Sequence, residues 1–499
     1  MRLVDLAATV PGARVVAGHD VEVRRAAHDS RRVEHGDLFV ARPGATTYGL
    51  RFVGDAVARG ATAVAAQTPV EVPPGVGLLL VPDARAALGE IASVLAGRPS
   101  EHLRLVGVTG TDGKTTTCHL IGSVLAAAGR RVGWMTTADV RVGDDVRPSV
   151  FGLTTPEATE IQRTLADMAD AGVEDAVVEV SSHALALDRV RGCSFDAAVF
   201  TNLSPEHLNF HGSMEAYAAA KATLFAMLDS PTAKRWSRMG VVNADDPASP
   251  TMVGASPAGI VSYGLEVPAD VTAEHVRLGI GGSRFRIRTP VGEIDVETQL
   301  VGRHNVSNWL AAAAIALGWG IDLTAVADAA ATTAAPPGRF QRVQRGQPFE
   351  VVVDFAHTPR ALETTLATLR EMVDGRIFLV FGMAGGRDAG NRPTMGAIAA
   401  RYADFFIIST DDPMREDPRE IADAVAAGAR QTGAEDGVSF AIELDRREAI
   451  RQLFRRARPG DAVLLAGKGH ERRMLVGEGA EPWSDTDTAV DSLADLGFG

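Results

Sequence analysis

The stretch that most constrains this chain is Leu103–Leu120, LRLVGVTGTDGKTTTCHL. Leu105, Val106 and Val108 form an apolar, β-branched lead-in of the kind that makes a buried strand. A glycine-rich turn follows, then Lys114, Thr115, Thr116 and Thr117, then a run that reads as helix. Strand, glycine loop, Lys-Thr and helix in that order describe a cradle for phosphate. Gly110 and Gly113 allow the backbone to come close to an anion, and the helix N-terminus faces it with free N–H groups. Lys114 is expected against the terminal phosphates, and the Thr115 hydroxyl on Mg²⁺. The longer form of this loop has a glycine five positions before the one that precedes Lys. That position here is Val108, so the loop is a shortened G-x-x-G-K-T.

The chain has 499 residues, which argues for about three domains on a prior of one per ~150. A net charge of −13 disfavours nucleic-acid binding over a broad basic surface. The two cysteines, Cys118 and Cys193, read as core thiols of a reducing compartment. The opening MRLVDLAATV lacks the pattern of a signal peptide, and no apolar run reaches the ~18 residues of a membrane span. A cytoplasmic, monomeric protein is expected.

Strands alternate with helices throughout, the signature of an α/β fold with parallel sheets. Residues 1–100 read as a small α/β domain with strands at Val21–Arg25, Asp37–Ala41, Thr62–Ala66 and Gly75–Val81. Residues 101–335 read as a doubly wound parallel-sheet domain carrying the phosphate loop. Residues 336–499 read as a third, Rossmann-like α/β domain, with strands near Glu350–Asp354, Ile377–Phe381, Asp404–Ser409 and Ala462–Ala466. Gly97–Ser100 and Ala334–Gly338 mark the boundaries. In such sheets the polar groups at strand C-termini gather in one crevice. Glu179, Ser181, Ser182 and His183 follow one central strand, and Thr201, Asn202 and His207 follow another, so all are candidates to face Gly110–Lys114. A carboxylate ending an apolar strand must be paired or bound to metal, which makes Glu179 a candidate Mg²⁺ ligand beside Thr115. Lys221, in the helix MEAYAAAKATLF, reads on spacing alone as a surface lysine. In the third segment four polar clusters follow four strands: Asp354–His357, Gly385–Asp388, Asp411–Met414 and Gly467–Glu471.

These motifs together resemble the Mur ligases, and within them the branch that adds the third peptide residue to a nucleotide-linked precursor. The matching stretches are Asp29-Ser30-Arg31 with DLFVARPG, GVTGTDGKTTT, LTTPE, EVSSHAL, FTNLSPEHLNFHGSMEAYAAAK, GRFQRV, VVDFAHTP, GGRDAGNRPTMG, DDPM and AGKGHE. They run over nearly the whole chain, and the family's loop has the same short G-x-x-G-K-T. The resemblance implies an ATP-dependent ligase. ATP phosphorylates the terminal carboxylate of UDP-N-acetylmuramoyl-L-alanyl-D-glutamate, and an amino acid amine displaces phosphate from the acyl phosphate.

The resemblance also assigns residues. Lys114, Lys221 and His207 become catalytic. Gly110, Thr111, Asp112, Gly113, Lys114, Thr115, Thr116, Asn305, Arg339, Asp354 and His357 become the ATP site. Thr115, Glu179, His207 and Lys221 become the Mg²⁺ environment. Lys221 is carbamylated in this reading, because an ammonium cannot ligate a cation and a carbamate can. Ser30, Thr154, Thr155, Ser181 and Arg189 become the UDP-substrate site, with Leu187 standing where some members have Gln. Arg387, Asp411, Asp412, Pro413, Met414, Gly467 and Glu471 become the amino-acid site.

Members that add diaminopimelate resemble D-N-P-R where this chain reads Asp411-Asp412-Pro413-Met414. An arginine there would clamp the distal carboxylate of that amino acid. With Met414 in its place, the expected third residue is L-lysine or L-ornithine. Diaminopimelate is the alternative, since a one-residue slip would bring in Arg415. A further alternative is another ATP-dependent carboxylate–amine ligase such as a folylpolyglutamate synthetase, which shares the loop but lacks the segment at Asp29–Gly44.

Overall fold

The structure is a computed structural model, and it describes every residue except 44–47, 230–233, 235 and 387–388. The chain divides into two compact units. The first takes residues 1–273, 287–294 and 307–329, and the second takes 274–286, 295–306 and 330–499.

The first unit opens with a five-stranded sheet. Its order is Arg14–Ala17, Gly77–Leu80, Ala63–Ala66, Asp37–Val40 and Arg25–Ala27, parallel except for the first pair. The sequence places a strand at Val21–Arg25, but the strand runs instead over Arg25–Ala27. Its parallel partner begins at Asp37, opposite Arg25, and the Arg25 guanidinium bonds the Asp37 carboxylate at 2.8 Å. Pairing therefore starts where the partner starts, and Glu22 is left with an isolated bridge to Arg2. Asp83 caps the helix Ala84–Leu95 by accepting from the Arg85 and Ala86 amides, a standard N-terminal device.

The same unit contains the central parallel sheet. Its strands lie in the order Gly259–Gly264, Met239–Asn243, Ala197–Phe200, Arg104–Thr109, Asp175–Glu179 and Val132–Met135. The strand Arg104–Thr109 lies between Ala197–Phe200 and Asp175–Glu179, parallel to both. This middle position explains the site. The loops leaving three adjacent strands emerge at the same C-terminal edge, around the helix Lys114–Ala127 that follows the first of them. Every residue of Arg104–Thr109 is buried, as the apolar run requires. An antiparallel hairpin, Asp139–Val142 with Asp145–Pro148, extends the edge and was not evident from the sequence.

The second unit holds a six-stranded sheet. Its order is Gln341–Arg342, Glu350–Asp354, Ala462–Ala466, Ile377–Phe381, Phe405–Ile408 and Phe440–Ile442, parallel after the first pair. Ala462–Ala466 is flanked by Glu350–Asp354 and Ile377–Phe381, so Phe355, Gly382 and Gly467 follow adjacent strands. The remaining hairpin, Arg473–Val476 with Gly479–Pro482, stands apart as a two-stranded sheet.

Candidate active site

The phosphate loop is built by close backbone approach. Gly110 has φ +152°, and a Cβ there would collide with Thr201 Oγ1. Gly113 has φ +80°, and a Cβ there would press on Asn308 Oδ1 at 2.7 Å. Both positions demand glycine. The loop is tied to the neighbouring strand end. Asn202 Oδ1 accepts from the Asp112 amide at 3.0 Å, while Asn202 Nδ2 and Thr201 Oγ1 donate to the Asp112 carbonyl at 3.1 and 2.7 Å. Thr111 Oγ1 lies 3.2 Å from the Tyr217 hydroxyl. Thr116, next to Thr115 on the first turn of the helix, is buried.

Four of the predicted groups, Lys114, Thr115, Glu179 and Lys221, lie around this loop. Thr115 Oγ1 donates to Glu179 Oε2 at 2.9 Å. The same carboxylate oxygen accepts from the Thr137 amide at 2.8 Å and the Thr137 hydroxyl at 2.9 Å. Lys114 Nζ donates to the Thr111 carbonyl at 2.7 Å. Lys221, which spacing alone put on the surface, is only 1% exposed. Its Nζ donates to the Gly110 carbonyl at 2.7 Å and lies 4.3 Å from the centre of the Tyr217 ring. Burial, then the nearby Lys114 charge, holds its pKa well below the ordinary lysine value. The neutral amine is thereby favoured, which is the form that can add CO₂.

A magnesium ion suits this donor set. Thr115, on the first turn of its helix, and Glu179, at a strand end, present hard oxygen atoms next to a loop shaped for phosphate, and Mg²⁺ takes few protein oxygens of this kind. His207 sits further out. It has φ +55°, and its ring packs edge-on against His183 at 4.6 Å and faces Tyr217 at 6.3 Å. Tyr217 is its link to Lys221. Burial, then the neighbouring His207 and His211, pushes His183 down to about 4, so this imidazole is neutral at ordinary pH.

A second wall of the crevice carries the expected UDP-substrate residues. Thr155 Oγ1 donates to the Glu179 carbonyl at 2.8 Å and accepts from the Ser181 amide at 2.9 Å. Arg189 donates to the Thr155 carbonyl at 3.3 Å and pairs with Glu157 at 3.3 Å. Glu157 also pairs with Arg42 at 3.0 Å, and Arg42 leaves the end of the strand Asp37–Val40. Thr154 precedes Thr155 and is half-buried. Ser30 is buried in a short turn that Asp29 caps. Arg42, Thr137 and Tyr217 join these contacts without having been singled out by spacing or motif. Thr137 had a usable signal, since it follows the apolar strand Val132–Met135.

In the second unit, Asp354, Arg339 and His357 gather around Phe355. Asp354 accepts from the Phe340 amide at 2.6 Å and from Thr365 at 3.2 Å, and burial raises its pKa. The Arg339 guanidinium stacks 4.6 Å above the Phe355 ring, and His357 packs on the same ring at 4.4 Å. Asn305 donates to the Val301 carbonyl at 2.8 Å. Asp411, Asp412 and Glu471 present carboxylate oxygens within 4.8 Å of one another. Gly467 has φ +107°, and a Cβ there would collide with Asp411 Oδ2. Pro413 is buried, and Met414 has φ +52°. Arg415, the residue a slip would supply, pairs with Glu478 at 2.6 Å and is 78% exposed. Arg387 lies outside the described residues.

Three family models match the chain: "Mur ligase family, catalytic domain" over residues 22–94, "Mur ligase middle domain" over 108–316, and "Mur ligase, glutamate ligase domain" over 338–469. The chain belongs to the Mur ligase family. As a Mur ligase it is an ATP-dependent ligase. It is 43% identical over 497 residues to the UDP-N-acetylmuramoyl-L-alanyl-D-glutamate--2,6-diaminopimelate ligase of Geobacillus kaustophilus, covering 100% of both chains. It is 42% identical over 489 residues to the UDP-N-acetylmuramyl-tripeptide synthetase of a Roseiflexus species, covering 96% of each. A solved UDP-N-acetylmuramoyl-L-alanyl-D-glutamate--2,6-diaminopimelate ligase superposes with a TM-score of 0.69 at 31% identity over 100% of each chain. A folylpolyglutamate synthase of Mycobacterium tuberculosis, solved with ADP and AMPPCP, shares the fold at a TM-score of 0.63 and 19% identity. It covers only 75% of this chain, against full coverage for the ligase above.

Proposed function

We propose that this Mur ligase joins an amino acid to UDP-N-acetylmuramoyl-L-alanyl-D-glutamate, and that the amino acid is diaminopimelate. The convergence of Lys114, Glu179 and Lys221 on one glycine loop supports the ligase chemistry most directly. The names of the relatives support the choice of substrates. The terminal carboxylate of the dipeptide attacks the γ-phosphorus of ATP, and ADP leaves. The amine of the incoming amino acid then attacks the acyl carbon, loses a proton, and expels phosphate to leave an amide.

Charge builds on phosphoryl oxygens in the first step, so fixed cations and backbone N–H groups carry most of the work. Lys114 and the loop Gly110–Thr116 hold the phosphates, and Asn305, Arg339, Asp354 and His357 hold the rest of the nucleotide. Thr115 and Glu179, with His207 and a carbamate on Lys221, would hold a magnesium ion, which would supply charge neutralisation. Thr154, Thr155, Ser181 and Arg189 orient the muramoyl dipeptide, with Ser30 toward the uridine. Arg387, Asp411, Asp412, Pro413, Met414, Gly467 and Glu471 receive the amino acid. The reaction belongs in the cytoplasm, where ATP and the nucleotide-linked precursor are found together.

A second reading rests on Met414. This residue supplies no guanidinium for a distal carboxylate, and Arg415 is turned to Glu478. The residue itself therefore favours lysine or ornithine, while the relatives' names favour diaminopimelate. A panel of the three amino acids at equal concentration, with ATP and the dipeptide substrate, separates the readings. Preference for diaminopimelate by kcat/KM supports the first, and preference for lysine or ornithine overturns it. Ligation to a folate instead of the muramoyl dipeptide would overturn both.

A further inference from the structure

The second unit buries a lysine for which the proposed reaction has no role. Lys468 is fully shielded from solvent. Its Nζ donates to Asp412 Oδ1 at 2.7 Å and to Glu471 Oε2 at 2.5 Å, and lies 3.8 Å from Asp411 Oδ1. Three carboxylates around one ammonium leave two negative charges in excess when all are ionised. Burial works against the lysine charge, but the carboxylates outweigh it and hold its pKa above the ordinary value.

The three carboxylates are not equivalent. Asp412 Oδ1 also accepts from the Leu475 amide at 2.8 Å, and Glu471 is held by Lys468. Asp411 is 7% exposed and accepts no hydrogen bond among the described residues. The other cation that acts on it, Arg446, is committed to Asp485 at 2.8 and 2.7 Å. A buried carboxylate without donors is costly unless a ligand completes it.

The loop bearing these groups is pinned by the hairpin 473–482. Met414 N–H donates to the Leu475 carbonyl at 3.0 Å, and Gly477 N–H donates to the Met414 carbonyl at 2.7 Å. Asp412 and Met414 have φ of +38° and +52°, a region that side chains disfavour and that persists only when neighbours impose it. The hairpin supplies that constraint.

We propose that Lys468 is the positioning residue of the amino-acid pocket. Its ammonium gathers Asp412 and Glu471 against the hairpin, and so leaves Asp411 as the carboxylate that receives a positively charged side chain of the incoming amino acid. This rests on the proposed ligase reading and deepens it. The pocket calls for a second ammonium on the substrate, whichever diamino acid is used, and a monoamino acid leaves Asp411 uncompensated.

The test uses the full chain, with kcat/KM for the preferred diamino acid followed against pH. The groups facing Asp411 are Lys468, Arg446, Asp412 and Glu471. Burial raises Asp411 to about 6, Lys468 and Arg446 pull it down, and Asp412 and Glu471 push it up. Asp411 must be ionised to bind an ammonium, so it sets the acid limb. Lys468→Met removes a lowering charge and moves the limb to higher pH. Asp412→Asn keeps the shape and an acceptor for Lys468, removes a raising charge, and moves the limb to lower pH. Lys468→Met also raises KM for the amino acid by about 100-fold, the scale of breaking a buried ion pair, while KM for ATP and for the dipeptide changes less than about threefold. Limbs that stay put or move together overturn the proposal, as does an equal rise in all three KM values. If Lys468→Met does not fold, Lys468→Gln takes its place: an upward move of the limb with a rise in KM confined to the amino acid supports the proposal, and an unmoved limb overturns it. A wild-type chain that makes no tripeptide overturns the ligase reading and this proposal with it. A ligating wild type with unmoved limbs overturns only the role of Lys468.

Discussion

Each of the two units buries a lysine, and the two lysines are opposites. Lys221 has a carbonyl and an aromatic ring for partners, with Lys114 close enough to repel it. Lys468 has three carboxylates within 4 Å. Both lose water, so burial alone does not decide what a lysine becomes. The counter-charges decide. Where they are weak, the amine is pushed toward its neutral form. Where they are strong, the ammonium is held in its charged form. The same contrast separates the sites around them. The crevice of the first unit sets Lys114 and Lys221 beside a glycine loop, and the pocket of the second gathers three carboxylates around Lys468.

Removing Lys114 attacks the first half of this contrast hardest. Lys114→Ala is expected to lower phosphate release by about 10³-fold or more, because a fixed cation on the transferring phosphoryl group is lost. Loss of less than tenfold would mean that the loop does not hold phosphate. Lys221→Ala is expected to cost about 10²-fold, with partial recovery when a small carboxylate such as acetate is supplied, because the missing group is an anion and not an ammonium. Recovery by a small amine instead would reverse the assignment.

Gly467→Ala probes the second half. A Cβ there meets Asp411 Oδ2 at a positive φ, so a loss of about 1–3 kcal/mol in stability is expected, together with a raised KM for the amino acid. Thermal unfolding and initial rates report the two effects. The smallest effect is expected from Arg415→Ala. Its ion pair with Glu478 is exposed, so stability should move by less than about 0.5 kcal/mol. The order of preference among diaminopimelate, lysine and ornithine should stay as it is. A changed order would show that Arg415 turns into the pocket when substrate binds.

Much of the crevice was legible in the sequence because its signals are local. A strand, two glycines and Lys-Thr sit within one short stretch, and parallel-sheet topology brings the ends of Asp175–Glu179 and Ala197–Phe200 to the same edge. Glu179 was legible for a further reason: a carboxylate that ends an apolar strand needs a partner, and Thr115 and Thr137 provide one. Lys221 was not legible from spacing. Its helix is alanine-rich on every face, so no polar stripe marks which side is buried, and only the family resemblance placed it in the site. The edge strand at Arg25–Ala27 was displaced from Val21–Arg25 because its register depends on where Asp37 lies, a contact the local pattern does not encode. Lys468 was hidden by its company. In Gly467–Glu471 a lysine between glycines looks like a solvated loop, and its burial depends on the hairpin 473–482, whose pairing with Asp412 and Met414 spans about sixty residues.

The most direct test of the contrast is to read the chemical state of the two buried lysines. The chain is incubated with isotope-labelled bicarbonate and examined by carbon NMR, beside the Lys221→Ala and Lys468→Arg variants. The account predicts a single carbamate signal in the wild type, kept in Lys468→Arg and lost in Lys221→Ala. A wild type with no carbamate signal, or a signal that survives Lys221→Ala, would contradict it.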